Sequence, residues 1–362
     1  MKILKYIFLL LLLSFISFSV FIATQKGTFH VVKSSLIHAS KVNTFNYVND
    51  FQNWEDFMNL GTNESVRNSF TKNSIGKGAK YSWEGTEENG SVQTFLVKEN
   101  DSISQKMDID GSEFHLTWIF KDTIGGTKVT MKSKGEMSFS YKIYTALHGG
   151  ASKIIGNLFG KSLANLDRNL NYEINTYTIK IGGLVRKLSS PYLKQTFTCK
   201  ISAVAKNSKI IFPKLLEFCE QNKILLNGQP FIIYHTYEID NGLTKISVCV
   251  PIKEAIITSD GSDILADELD SFQAIKTTLY GDYSHTKETL KKSKAYINQK
   301  VITPGSQFSH IAVYSISKKE TKHPSKWKTD FYFPVQIKNN TPKKEPEAEV
   351  LPTSESNETE IN

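Results

Sequence analysis

The order of predicted elements over residues 194–251 recurs over residues 272–335. Each segment reads as a strand, a helix, a turn and two strands, and the last strand of each segment ends at a proline, Pro251 or Pro334. A unit that occurs twice in this way indicates an internal duplication. The duplication restricts this half of the 362-residue chain to a fold built from two similar modules.

The second copy contains a recognisable set of residues, of which the stretch 328–335, Lys-Thr-Asp-Phe-Tyr-Phe-Pro-Val, is the most specific. The others are Tyr280-Gly281-Asp282-Tyr283, Pro304-Gly305, Tyr314, Pro324 and Trp327. This pattern resembles the GyrI-like, or multidrug-type effector-binding, domain of transcription activators and stand-alone modules. The resemblance covers about residues 177–337 and implies two pseudo-symmetric halves with a ligand pocket between them.

The same resemblance implies a set of ligand-binding residues. In the family a buried acid on the closing strand meets a cationic or polarised ligand, and Asp330 stands at that position, where Glu is more common. A carboxylate in an aromatic cleft is tolerated when a cation or hydrogen-bond donors meet it. The aromatic side chains expected to frame the ligand are Tyr314, Trp327, Tyr234 and Tyr280. The alternative is a surface carboxylate with aromatic side chains in the sheet core, and the equivalent position in the first copy is Ser247.

The amino-terminal region contains a run of 20 residues, Tyr6 to Gln25, without a charged side chain. As a helix this run would be about 30 Å long, which matches the hydrocarbon core of a membrane. A cleaved signal peptide is the alternative, but cleavage after Ala23 would place the large Phe21 where a small residue is usual. We therefore predict an uncleaved single-pass anchor, with the body on the extracytoplasmic side as the default orientation.

Residues 28–175 read as a strand, two short helices, a run of short antiparallel strands and a long helix from about Gly150 to Tyr172. A curved sheet around such a helix leaves a space for an apolar cavity. The motif residues are Val42, Phe45, Val48-Asn49-Asp50-Phe51, Trp54-Glu55-Asp56-Phe57 and the closing segment Leu158 to Leu170. They resemble the START-like, or polyketide-cyclase-like, superfamily. Phe57 differs from the family pattern, which has a tryptophan at this position. The resemblance implies a helix-grip fold that holds lipid-like or polycyclic ligands.

The net charge of +8 is unevenly distributed. Residues 339–362 carry six glutamates and two lysines, and this Pro-, Glu-, Ser- and Thr-rich tail is predicted to be disordered. The lysines of the basic remainder are scattered and no DNA-reading motif occurs, so no nucleic-acid partner is predicted. The three cysteines lack metal-site spacing and lie in apolar or alternating stretches, which predicts buried free thiols at Cys199, Cys219 and Cys249.

The predicted fold class is α+β in four segments: a transmembrane helix in 1–27, a helix-grip antiparallel sheet domain in 28–175, a duplicated strand-helix-strand-strand effector-binding domain in 176–338 and the acidic tail. The predicted function is the binding of an apolar or amphipathic small molecule by a membrane-anchored sensor, carrier or sequestering protein. One alternative is a hydrolase in which Asp330 and Tyr314 activate water. Another is a non-catalytic scaffold with a protein partner. No nucleophile-elbow, metal-triad or phosphate-loop motif occurs, so no cofactor and no metal is predicted.

Overall fold

The computed structural model describes residues 2–24, 27–58, 60, 66–85, 89–259 and 261–336. Over these residues the protein is α+β, with two antiparallel sheets and an apolar amino-terminal helix. The predicted acidic tail lies outside the described residues.

The first helix, α1, spans Lys2–Thr24. Its segment Ile3–Thr24 is long and apolar enough to cross a membrane, a property that it shares with signal sequences. Nearly all of its side chains from Ile3 onwards are exposed, but Ile22 in its last turn is completely buried. The helix therefore touches the rest of the molecule only near its carboxyl end.

The first sheet has seven strands, and four helices accompany it. Their bounds are β1 Thr28–Ile37, α2 Lys41–Val48, α3 Trp54–Phe57, β2 Arg67–Phe70, β3 Lys80–Glu84, β4 Asn89–Lys98, β5 Ser102–Ile109, β6 Ser112–Thr123, β7 Gly126–Glu136, α4 Phe139–Leu147 and α5 Ala151–Asn175. The strand order is β1-β7-β6-β5-β4-β3-β2, and every neighbouring pair is antiparallel. Helix α5 packs against β1 and α3.

One face of this sheet is buried because apolar residues alternate along its strands. In β6, for example, Phe114, Leu116, Trp118 and Phe120 are buried while the residues between them are more exposed. Helix α5 contributes the apolar stripe that its spacing predicts, and all of its members are buried: Ile155, Phe159, Leu163, Leu166 and Leu170. Trp54 and Phe57 of the motif are also fully buried, so both side chains pack in the core.

The second sheet contains the duplicated segment. Its elements are β8 Thr178–Lys187, β9 Ser190–Lys200, α6 Val204–Gln221, β10 Phe231–Tyr234, β11 Leu243–Pro251, β12 Leu265–Leu269, β13 Phe272–Tyr280, α7 Thr286–Gln299, β14 Thr303–Pro304, β15 His310–Ile316 and β16 Lys328–Gln336. The strand order is β12-β9-β11-β10-β15-β16-β13-β8, with β14 on β16.

The centre of this sheet is a pair of equivalent strands, β10 and β15. Outward from this pair the order is β10-β11-β9 on one side and β15-β16-β13 on the other, which is the order expected of two copies of one unit. The register agrees residue by residue. Ser247 in β11 lies opposite Thr196 and Ile233, as Asp330 in β16 lies opposite Thr278 and Val313.

Helix α6 begins at Val204, so Pro213 lies inside the helix, nine residues after its start. Pro213 is exposed, so water can hydrogen-bond the carbonyl that the missing N–H leaves free. The three cysteines are free as predicted, with Cys219 and Cys249 buried and Cys199 half-buried.

Candidate ligand-binding sites

Asp330 lies in β16 and is 5% exposed. The hydroxyls of Thr278 and Ser315 donate to its two oxygens at 2.6 and 2.8 Å. The ammonium groups of Lys276 and Lys328 lie 3.2 and 3.7 Å from the same carboxylate. The acid is therefore held by donors from this chain.

These donors also decide its protonation. Burial by itself would raise the pKa of Asp330, but the hydroxyls of Thr278 and Ser315 and the charge of Lys276 outweigh burial and bring the pKa below its usual value. A carboxylate with a lowered pKa is a weak general base, because its basicity falls with its pKa.

Three of the aromatic candidates lie on the face of the second sheet that α6 and α7 cover. The side chains of Tyr234 and Tyr314 influence each other electrostatically, and burial raises the pKa of Tyr314 to about 12. The ring of Trp327 stacks on Tyr283 at 4.6 Å between centroids, and Tyr283 meets Tyr314 edge-on at 5.5 Å. The Trp327 ring N–H donates to a backbone carbonyl at 2.9 Å.

The expected site is divided between two faces, because side chains alternate along a strand. Phe331, which follows Asp330, packs in the helix-covered core with Tyr234. Tyr332, on the same side of β16 as Asp330, packs with the opposite cluster. Tyr280 is two residues beyond Thr278 and shares the Asp330 face, where the ammonium groups of Lys180 and Lys328 lie 5.3 and 6.0 Å from its ring centroid.

The sequence did not predict three of the residues that contact Asp330, namely Lys276, Thr278 and Ser315. The duplication carries the signal for the first two, since pairing the closing strand with the first strand of its own unit brings them beside the acid. Ser315 had no such signal, because an irregularity in the pairing between Tyr314 and Ile316 turns it towards Asp330.

In the first copy the same position has no acid. Ser247 is completely buried, and its hydroxyl makes hydrogen bonds of 2.7 Å with Thr196 and with Nε2 of His235. Burial, with the charges of Lys245 and Lys194, lowers the pKa of His235. This half of the sheet therefore holds a neutral hydrogen-bonded group where the other half holds a carboxylate between lysines.

A cavity of about 390 Å³ lies between the first sheet and helices α4 and α5. Most of its lining is apolar or aromatic, with polar groups from Ser133, His148, Asn157 and Lys161. The apolar lining consists of Leu60, Met107, Ile109, Phe114, Leu116, Tyr141, Tyr144, Ile154, Ile155, Leu158 and Phe159. An apolar cavity of this size with a few polar groups is typical of a small-molecule site. The sequence predicted such a space. Leu158, Phe159 and Lys161 belong to the predicted closing helix, but none of the lining residues was predicted to contact a ligand.

No family model matches the chain, and no curated protein matches it. Among solved structures, the EcmrR C-terminal domain has a TM-score of 0.39 at 15% identity and covers 44% of this chain and 98% of that chain. Protein CV1439 from Chromobacterium violaceum has a TM-score of 0.31 at 9% identity, with 40% and 98% covered. Protein MLL2253 from Mesorhizobium loti has a TM-score of 0.30 at 17% identity, with 39% and 98% covered. Likenesses of this size assign no function to the chain.

A loop between β15 and β16 connects the two halves of the molecule through charged side chains. The Lys318 ammonium donates at 2.6 Å to Asp50, a buried acid beside α3 that also accepts from the hydroxyl of Ser74. Further along the loop, Lys322 lies 3.2 Å from Asp56, and Nδ1 of His323 lies 2.9 Å from Glu173. The loop that leads into the strand of Asp330 is thus bound to the helices beside the first sheet.

We expect Lys318→Ala to lower the free energy of unfolding by about 1–2 kcal/mol, since it leaves the buried Asp50 carboxylate without its cation. The value stays below that of a fully buried pair because Lys318 itself is 45% exposed. Lys319→Ala, at the neighbouring exposed position, is the matched control and should change the free energy of unfolding little. Equal effects of the two changes in urea unfolding would contradict a specific role for the Lys318–Asp50 pair.

Proposed function

We propose that this protein is anchored to a membrane by α1 and binds an apolar or amphipathic small molecule in the cavity between the first sheet and helices α4 and α5. The cavity itself carries the proposal. Its volume of about 390 Å³ lies within the usual range for ligand pockets, and its lining is mainly aliphatic and aromatic. A membrane-anchored sensor, carrier or sequestering protein is the role that such a site favours.

The polar groups at the cavity favour a ligand with a polar end. Lys161, His148 and Asn157 offer a cation and hydrogen-bonding groups beside apolar walls. A ligand that places an apolar body against Phe159 and Leu116 could direct a polar or anionic end to these side chains. This combination describes an amphipathic molecule better than a purely apolar one.

The second sheet is a weaker candidate for the ligand. Asp330 with Tyr280, and Tyr314 with Tyr234 and Trp327, belong to different faces, so a ligand bound on one face would meet only one of these groups. The same separation argues against a hydrolase that uses Asp330 and Tyr314 on one water molecule. A carboxylate already held by two hydroxyls and two lysines also has little need of a cationic ligand.

The test is ligand-dependent stabilisation of the full chain held in lipid nanodiscs. We expect fatty acids, lysolipids or polycyclic compounds to raise the melting temperature, because a ligand at one hundred times its dissociation constant adds about 2.7 kcal/mol to the stability. Ile154→Trp, which places a much larger side chain at the cavity wall, should abolish this shift. Ile210→Trp, at an exposed position of α6, is the matched control and should keep it.

The outcomes separate the candidate functions. A shift that Ile154→Trp removes supports binding in the cavity. A shift that both tryptophan variants keep shows that the ligand binds outside the cavity, and the second sheet is then the remaining candidate site. Failure of every compound to shift the melting temperature contradicts the binding proposal and favours a scaffold with a protein partner.

A further inference from the structure

Helix α4 lies where α1 meets the body of the protein. The two helices are in contact, and Ile22 in the last turn of α1 is completely buried. Just after α1, the carbonyl of Gly27 accepts a hydrogen bond of 2.8 Å from the N–H of Met137, two residues before α4 begins. The side chain of Lys142 in α4 lies beside Gly27. If α1 crosses a membrane, α4 therefore lies at the level where α1 leaves it.

The outer side of α4 is apolar. Phe139 and Leu147 are 57% and 64% exposed, and they lie eight residues apart with the half-buried Ile143 midway between them. Residues at this spacing share one side of a helix. Tyr144, 49% exposed, widens the same surface, while Thr145 on the inner side is buried. Interfacial helices bury an apolar face at the boundary between headgroups and acyl chains, and the exposed side of α4 offers such a face.

The charge of this region fits a lipid surface. Residues 137–166 contain three lysines, Lys142, Lys153 and Lys161, and no aspartate or glutamate. Lipid headgroups carry phosphate, and each lysine near an anionic membrane surface adds to the attraction. Helix α4 carries Lys142 and an exposed apolar side, and α5 adds the other two lysines, so apolar surface and positive charge occur together here.

The same helix forms part of the cavity. Tyr141 and Tyr144 of α4 line it, together with His148 directly after the helix. Gly149 and Gly150 follow with φ of +91° and +95°, a backbone conformation that residues other than glycine rarely adopt. These two glycines separate α4 from α5, so the two helices that border the cavity are joined at a sharp, glycine-dependent turn.

We propose that the exposed face of α4, formed by Phe139, Ile143, Tyr144 and Leu147, docks in the headgroup region of the bilayer that α1 enters, and that the cavity receives its amphipathic ligand from that bilayer. The inference rests on the proposed function, since it needs both the anchor and the cavity. It adds the source of the ligand and the surface through which the ligand passes. The partner of the α4 face is lipid, because α4 lies directly beside α1, the helix that is proposed to cross the membrane.

The test places a fluorescent label on α4 in the full chain, inserted into vesicles of phosphatidylcholine and phosphatidylglycerol. Leu147→Cys carries the label in a Cys199→Ser background, in which the two remaining thiols are buried. The control is Ile124→Cys, an apolar position that is 99% exposed in the turn between β6 and β7. The 11 residues of β7 place this turn roughly 35 Å from the start of α4.

We expect lipids that carry a nitroxide near the headgroup to quench the label at position 147 several-fold more than the label at position 124. Flotation of the vesicles, measured on the same samples, reports whether α1 anchors the chain. A chain that floats with equal quenching at both positions overturns the docking of α4 and leaves the anchor standing. A label at position 147 that is shielded from both lipid-borne and water-soluble quenchers shows that protein covers α4, which also overturns it. A chain that does not float overturns the anchor and the docking together.

Discussion

Replacing Asp330 with alanine should lower the free energy of unfolding by about 2–3 kcal/mol even when no ligand is present. The change leaves the ammonium groups of Lys276 and Lys328 close to each other without the carboxylate between them. It also removes the acceptor of the Thr278 and Ser315 hydroxyls. Both lysines are about 30% exposed, so water limits the cost, and the value stays below that for a fully buried pair. Urea unfolding of both chains measures the difference.

The duplication supplies the matched control for this prediction. Ser247→Ala changes the equivalent position of the first copy, where the loss is one neutral hydroxyl bound to Thr196 and His235, and about 1 kcal/mol is expected. Asp330→Asn keeps the shape and removes the charge, so it should fall between wild type and Asp330→Ala. If Asp330→Ala is as stable as wild type, the carboxylate is not needed by its neighbours and becomes available to a ligand. A loss of ligand binding in Asp330→Ala is informative only after this comparison.

The elements that periodicity defines were predictable from the sequence. The stripe of α5 and the repeated strand-helix-strand-strand order depend on spacings of three, four and two residues, which are visible in one chain without its neighbours. The side chain of Ser40 caps α2 by accepting a hydrogen bond from the N–H of Asn43. These features are local, and local geometry follows from local sequence.

The features that depend on register were not predictable in the same way. Tyr314 and Asp330 were expected in one site, but a shift of one residue in strand pairing decides whether two side chains share a face. The observed pairing sets Val313, not Tyr314, opposite Asp330. Helix α4 was missed for a different reason. It is only nine residues long and follows directly on β7, and its signal was a single capping residue, Ser138, whose hydroxyl accepts from the N–H of Tyr141.

Acid should destabilise this protein well above the pH at which carboxylates become protonated. His310 is the main reason, and His235, whose pKa burial also lowers, contributes with the same sign. The ring of His310 is 1% exposed, stacks on Tyr234 at 4.3 Å, and has no hydrogen-bond partner at Nε2 within the described part of the chain. Burial, with a smaller effect from the charge of Lys294, lowers the pKa of His310 to about 3. In the unfolded chain the pKa of histidine is near 6.5. The ring is therefore neutral in the folded protein at every pH at which the unfolded ring takes up its proton.

The sign follows from proton uptake. Between pH 6.5 and pH 3 the unfolded chain binds one more proton at this position than the folded chain, so the free energy of unfolding falls as the pH falls, by about 1.4 kcal/mol per unit. The contribution is fully present above pH 6.5. Unfolding in urea from pH 7 to about pH 4.5 should show a loss of roughly 2–3 kcal/mol from this group. His310→Phe keeps the stacked ring without the titrating nitrogen and should flatten this dependence, whereas His115→Gln, at an exposed strand position, should leave it unchanged. An equally steep decline in His310→Phe would assign the acid sensitivity to other groups and would mean that the His310 ring accepts a proton in the folded state at little cost.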